Sequence, residues 1–134
     1  MKKYANFIIS IASLFTGGML YVLFRENTYI GNAFSRFSFI VALRMSLAPF
    51  ACNLLKYYLP DFLWGLALAC GLQAILHLKK QKLLLCGVVV FLCGTFWECM
   101  QCLGVISGTG DFWDVFSYSL AGLLCIILNL KERE

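Results

Sequence analysis

Charge is scarce in this chain. Asp, Glu, Lys and Arg together make up 13% of 134 residues, about half the share of a soluble domain. Histidine occurs once, as His77, and proline twice, as Pro49 and Pro60. Each shortage excludes something. So few charges leave no polar coat for a separate soluble domain. A single histidine rules out bis-histidine haem within one chain and leaves no ligand set for a histidine-rich catalytic zinc. His77 also falls at the opposite end of the predicted helices from the carboxylates, so no serine–histidine–aspartate triad can form with them. No Walker-type glycine loop and no Gly-x-Ser-x-Gly elbow is present. No cofactor is expected, and the sole metal reading left open is an oxygen-ligand cation at Glu98, Asp111 and Asp114.

Apolar length is what the chain has instead. Hydrophobic residues make up 61% of it, and runs of 17 or more recur. Such runs predict transmembrane helices at about residues 7–24, 62–78, 83–103 and 112–130. The first covers about 27 Å as a helix, just enough to cross the hydrocarbon core. The expectation is an all-α, polytopic membrane protein with four transmembrane helices, forming one integral membrane domain over residues 1–134.

Residues 33–59 are harder to place. They are apolar but include Arg36, Arg44, Pro49, Asn53 and Lys56. Pro49 breaks or kinks any helix there. The preferred reading is an interfacial or re-entrant helical segment on the outer face, with the arginines turned to protein or headgroups. The alternative is a fifth span, which would put the N-terminus outside.

The basic residues sort to one side of a four-span chain. Lys2, Lys3, Lys79, Lys80, Lys82, Lys131 and Arg133 share it with only Glu132 and Glu134. The positive-inside rule then places both termini in the cytoplasm of a bacterial inner membrane. Lys2-Lys3 and the run behind them read as an uncleaved anchor. Basic residues that merely flank spans argue against nucleic-acid binding. Of the seven cysteines most fall within spans, where free thiols act as small hydrophobes. Cys99-x-x-Cys102 has redox spacing but lies mid-span beside Glu98, a poor setting for a thiolate.

The other side gathers the polar groups that need explaining: Arg25, Glu26, Arg36, Arg44, Lys56, Asp61, Glu98, Asp111 and Asp114. Ionisable groups at membrane depth are costly and tend to be functional. Asn27 to Gly31 reads as a turn. Asp61 is placed as an N-cap for a helix starting at Phe62, and Asp111 as an N-cap for the last helix. Glu98 and Gln101 lie one turn apart and face the same way. Two functional readings follow from the cluster Arg25, Arg44, Asp61, Glu98, Gln101, Asp111 and Asp114. One is a pocket in which arginines hold an anion and a carboxylate acts as acid or base. The other is structural, with Glu98 locked to Arg44 or Arg25.

Small residues are spaced for close helix contact at Gly17-Gly18, Gly65/Ala69, Ala67/Gly71 and Gly87/Gly94. Trp64, Trp97 and Trp113 fit an outer aromatic belt. Asp61-Phe62-Leu63-Trp64 and Asp111-Phe112-Trp113-Asp114, each with a glycine about ten residues on (Gly71, Gly122), form a weak internal echo.

Three motifs together resemble a known family. Glu98-x-x-Gln101, Gly108-Thr109-Gly110-Asp111-x-x-Asp114 and Gly122 are similar to the C-terminal core of VanZ-like membrane proteins. The runs from Gly17 to Arg25 (Gly-Gly-x-Leu-Tyr-x-x-Phe-Arg) and from Leu59 to Trp64 (Leu-Pro-Asp-x-Leu-Trp) match related small bacterial membrane proteins. The glycine loop lacks the arginine often seen there, and Tyr118 stands where the family often has asparagine. The resemblance implies a role in the cell envelope, without a defined reaction.

The first functional expectation is therefore a VanZ-like envelope protein whose outer pocket binds a lipid-linked or anionic headgroup, more binding protein than enzyme. Membrane lipids are the expected partners. A second is a non-enzymatic interaction protein, such as an immunity factor or a complex subunit, with Gly65/Ala69 marking the partner surface. A third is an oligomeric channel or carrier.

Overall fold

Uncharged stretches with no internal proline leave the chain free to stay helical, and the computed structural model is built from such helices. It describes residues 2–25 and 29–131. Six α-helices follow in order: α1 (Lys2–Phe24), α2 (Tyr29–Phe34), α3 (Ser38–Leu47), α4 (Leu59–Leu76), α5 (Leu83–Cys102) and α6 (Phe112–Lys131). Among the described residues four helices are long and apolar enough to cross a membrane: Tyr4–Phe24, Leu54–Leu76, Leu83–Cys102 and Phe112–Leu130. Their 19 to 23 residues rise about 28–35 Å, matching the bilayer core. This is the all-α architecture of a multi-pass membrane protein.

The segment between the first two long helices is two short helices, not a fifth span. α3 has 10 residues, about 15 Å or half the hydrocarbon thickness. Pro49 stops it as the sequence implies, and Ala48–Phe50 form a single 3₁₀ turn. Of the expected turn at 27–31, Tyr29, Ile30 and Gly31 belong to α2 instead. Glu26 and Asn27 lie outside the described residues.

α4 forms the centre of the bundle. It packs on α1, α5 and α6, while α6 packs on α5. Its composition explains this: Gly65, Ala67, Ala69, Cys70 and Ala74 are all buried and let neighbours approach. The core is Leu66, Ala69, Cys70, Val90, Ala121 and Cys125. Gly65 and Ala69 are thus used inside the chain, where Gly65 meets Tyr118 and Ala121, and do not offer an outward partner surface. A Cβ on Gly122 would stand 3.1 Å from the Cα of Gly87, so α5 and α6 touch backbone to backbone. Of the Gly17-Gly18 pair only the first is a contact, 2.7 Å from Trp64 Cδ1 for an added Cβ.

Polar ties hold the end of the bundle opposite Arg25. Asn6 of α1 and Asn129 of α6 are buried and bond reciprocally at 2.8 and 3.3 Å. Ser10 Oγ donates to the Ala67 carbonyl at 2.7 Å. α4 ends at Leu76, two residues before the expected Leu78, because His77 turns left-handed with φ 48°. Gln73 Nε2 then donates to the Leu78 carbonyl at 3.1 Å.

Gly94 is the tightest test of this packing. A Cβ there would lie 2.5 Å from the Tyr118 ring, whereas Gly18 has nothing within 4 Å. Gly94→Ala is expected to destabilise the fold by about 1–3 kcal/mol and Gly18→Ala to change it by less than about 0.5 kcal/mol, measured by reversible unfolding in mixed micelles.

Candidate functional site

The site is assembled where α1 ends and α4 begins. Pro60 has no N–H to give the turn before it, and Leu54–Tyr58 widen into a π-helical turn. Arg25 fills the deficit. Its Nε donates to the Lys56 carbonyl at 3.1 Å and its Nη2 to the Tyr57 carbonyl at 2.9 Å. The same Nη2 forms an ion pair with Asp61 Oδ2 at 3.1 Å. The guanidinium lies over the rings of Tyr21 and Tyr57, 5.2 and 5.7 Å from their centroids. Asp61 is therefore not the expected N-cap. Helix α4 begins two residues earlier, and the carboxylate reaches sideways to Arg25 and to the Tyr118 hydroxyl, which donates to Oδ1 at 3.2 Å. Arg25, Asp61 and Tyr118 join α1, α4 and α6 in one chain of hydrogen bonds.

Glu98 does not pair with Arg44 or Arg25 in the way a structural lock requires. Its Oε2 accepts the backbone N–H of Asp111 at 2.9 Å. With the Gln101 amide turned to suit its neighbours, Gln101 donates to the same oxygen and accepts from Trp97 Nε1, both at 3.2 Å. The glycine loop makes this possible. Gly108 has φ 143°, and a Cβ on Gly110 would stand 2.8 Å from the Glu98 carbonyl, so the loop folds down onto the last turn of α5. Asp111 caps α6 as expected: Trp113 N–H donates to its Oδ1 at 3.0 Å.

Arg44 lies elsewhere. It is buried, donating to the Val22 carbonyl at 2.9 and 2.6 Å, to the Gly31 carbonyl at 2.9 Å and to Ser35 Oγ at 2.5 Å. It fastens α3 and α2 to the end of α1. Arg36 is exposed. Cys99 and Cys102 are free thiols.

Five of the seven expected residues, Arg25, Asp61, Glu98, Gln101 and Asp114, line one cavity of about 560 Å³. Asp111 borders it through Glu98, and Arg44 is absent from its wall. Asp114 is 7% exposed and its Oδ1 has no hydrogen-bond partner. It lies within electrostatic reach of Asp61, Glu98, Asp111 and Arg25. Among the described residues no three His, Cys, Asp or Glu side chains come together as a metal site.

Away from the carboxylates the cavity continues as an apolar slot between α1 and α5, past Leu14, Leu68 and Val90 to Ser10. Ser10 is fifteen residues from Arg25 along the first long helix, so the whole cavity, charged end included, runs about 22 Å. A second, apolar cavity of about 480 Å³ lies under α2 and α3 and shares Leu14, Tyr21, Ile30 and Trp64 with the first. The sequence reading missed Tyr118 as a site residue, although its place one turn after Asp114 puts both on one face. No family model, curated protein or solved structure matches the chain. The arrangement offers hydrogen-bond acceptors and negative charge at one end of an apolar slot.

Replacing Arg44 by Met should free α2 and α3 while leaving the packing of α4, α5 and α6 in place. Hydrogen bonds from a charged donor contribute about 1.5–3 kcal/mol, so amide exchange in residues 29–47 is expected to accelerate by about tenfold or more, with α4 to α6 unchanged.

Proposed function

We propose that this chain is a VanZ-like integral membrane protein of the bacterial cell envelope that binds the headgroup of a lipid-linked ligand. The observation that carries this is the shape and polarity of the larger cavity. Its charged end stands at one end of the bundle and the whole cavity extends about 22 Å along α1, the layout of a lipid. The neighbouring apolar cavity extends the space available to hydrocarbon. Trp64, Trp97 and Tyr21 line the charged half, and aromatic side chains favour headgroup depth.

Orientation follows from charge. Lys79, Lys80 and Lys82 stand at the connection between α4 and α5, opposite the carboxylate end. By the positive-inside rule that connection and both termini are cytoplasmic, and the site opens to the outer leaflet of the inner membrane. Arg25, not Arg44, is the basic side chain in the cavity wall there, held by Asp61 and two carbonyls.

The reading supports binding over catalysis, because among the described residues the polar groups of the cavity are not arranged as a nucleophile and base. The interaction-protein reading has less support, since the small-residue face that would have carried it is buried between helices.

Cys93 projects from α5 into the slot and is exposed. Cys93→Trp should fill the slot while sparing the core. Lipid retained after detergent extraction, counted by native mass spectrometry, is expected to fall about tenfold or more, the loss that follows when about 1.4 kcal/mol of binding is removed. The unfolding midpoint should stay that of the wild type. Unchanged lipid retention would contradict the reading.

A further inference from the structure

We propose that the ligand at the carboxylate end carries a primary ammonium group, seated on Asp114. This rests on the lipid-binding reading and names the chemistry of the headgroup.

Charge balance is the starting point. Three carboxylates, Asp61, Glu98 and Asp114, line the cavity, and among the described residues Arg25 is the only basic side chain in its wall. Asp61 has Arg25 and Tyr118. Glu98 has the Asp111 N–H. Asp114 is as buried as either, yet its Oδ1 receives no donor from the protein. A carboxylate shut away from water is costly without a hydrogen-bonded partner. The missing partner is a donor, and a positive one offsets the excess of negative charge.

The kind of donor is decided by spacing and by protons. A divalent metal needs several oxygens gathered at about 2.0–2.6 Å, and among the described residues no such group of side chains exists. A primary ammonium is bulkier and presents three N–H donors. It can bridge carboxylates set further apart. A quaternary ammonium has the charge but no N–H, so it leaves the Asp114 oxygen unsatisfied. Arg25 lines the same cavity but is committed to Asp61 and to the Lys56 and Tyr57 carbonyls. The wall thus complements a cationic group, which is how interfaces select charged partners. Two membrane sources share this chemistry: an ethanolamine phospholipid and a prenyl-phosphate-linked amino sugar.

The test uses the full-length protein in nanodiscs containing equal amounts of phosphatidylethanolamine, its N-methyl and N,N-dimethyl derivatives, phosphatidylcholine and phosphatidylglycerol. Native mass spectrometry reads which lipid stays bound. A second arm reads the mass of the amphiphile that co-purifies from bacterial membranes. Retention should decline stepwise with each methyl, with ethanolamine about tenfold above choline, the ratio expected for charge-assisted hydrogen bonds. Asp114→Asn should flatten the series. The methyl series carries the test by itself if that variant fails to fold. A prenyl-linked amino sugar in the second arm would support the proposal and identify the source, even if the synthetic lipids bind weakly. A retained lipid with no dependence on methylation, or with phosphatidylglycerol preferred, would overturn the amine assignment and leave the lipid reading standing. No amphiphile retained in either arm would overturn both.

Discussion

A carboxylate or guanidinium at the end of an apolar bundle loses much of its water and must be given fixed partners. The charged end of this protein is a set of answers to that constraint. Arg25 closes the gap left by Pro60 and the π turn, and in doing so holds Asp61. Asp61 in turn holds Tyr118, whose ring is pressed between the backbones at Gly65 and Gly94. One ion pair therefore fixes how α1, α4 and α6 meet, and Gly94 brings α5 against the same ring.

The same constraint separates the remaining polar groups by role. Glu98 is satisfied by the loop that precedes α6, so its negative charge closes the connection between the last two helices. Arg44 is satisfied by carbonyls and anchors the short helices. Among the described residues Asp114 is the cavity carboxylate with a buried oxygen left without a donor, and the residue lines the cavity. α1 and α5 are held apart because each packs on α4. The slot is a result of the packing order, and the charged end caps it.

Much of the architecture is legible in the sequence because bilayer-length apolar runs admit few alternatives. The first span begins at Tyr4 rather than Phe7 because Tyr4, Ala5 and Asn6 carry no charge to keep them out of it, and Asn6 finds Asn129. That pairing spans 123 positions and leaves no trace in local pattern. Asp61 looks like a cap because Leu-Pro-Asp usually opens a helix, and only Arg25, 36 residues earlier, turns it into a pairing residue. Charge alone places Arg44 with the carboxylates because it does not reveal direction. Its donors are met by the Val22 and Gly31 carbonyls and Ser35 Oγ. The sequence suggests an arginine for Glu98 because it hides what the glycine loop can fold onto it. Asp111 was readable as a cap, since capping is local.

The most direct test of the lipid-site account is a high-resolution map of the protein in a native-lipid nanodisc. The account predicts elongated non-protein density between α1 and α5, with its polar end against Asp114 and Arg25. A slot closed by direct contact between α1 and α5, with Asp114 bonded to a protein donor, would contradict it.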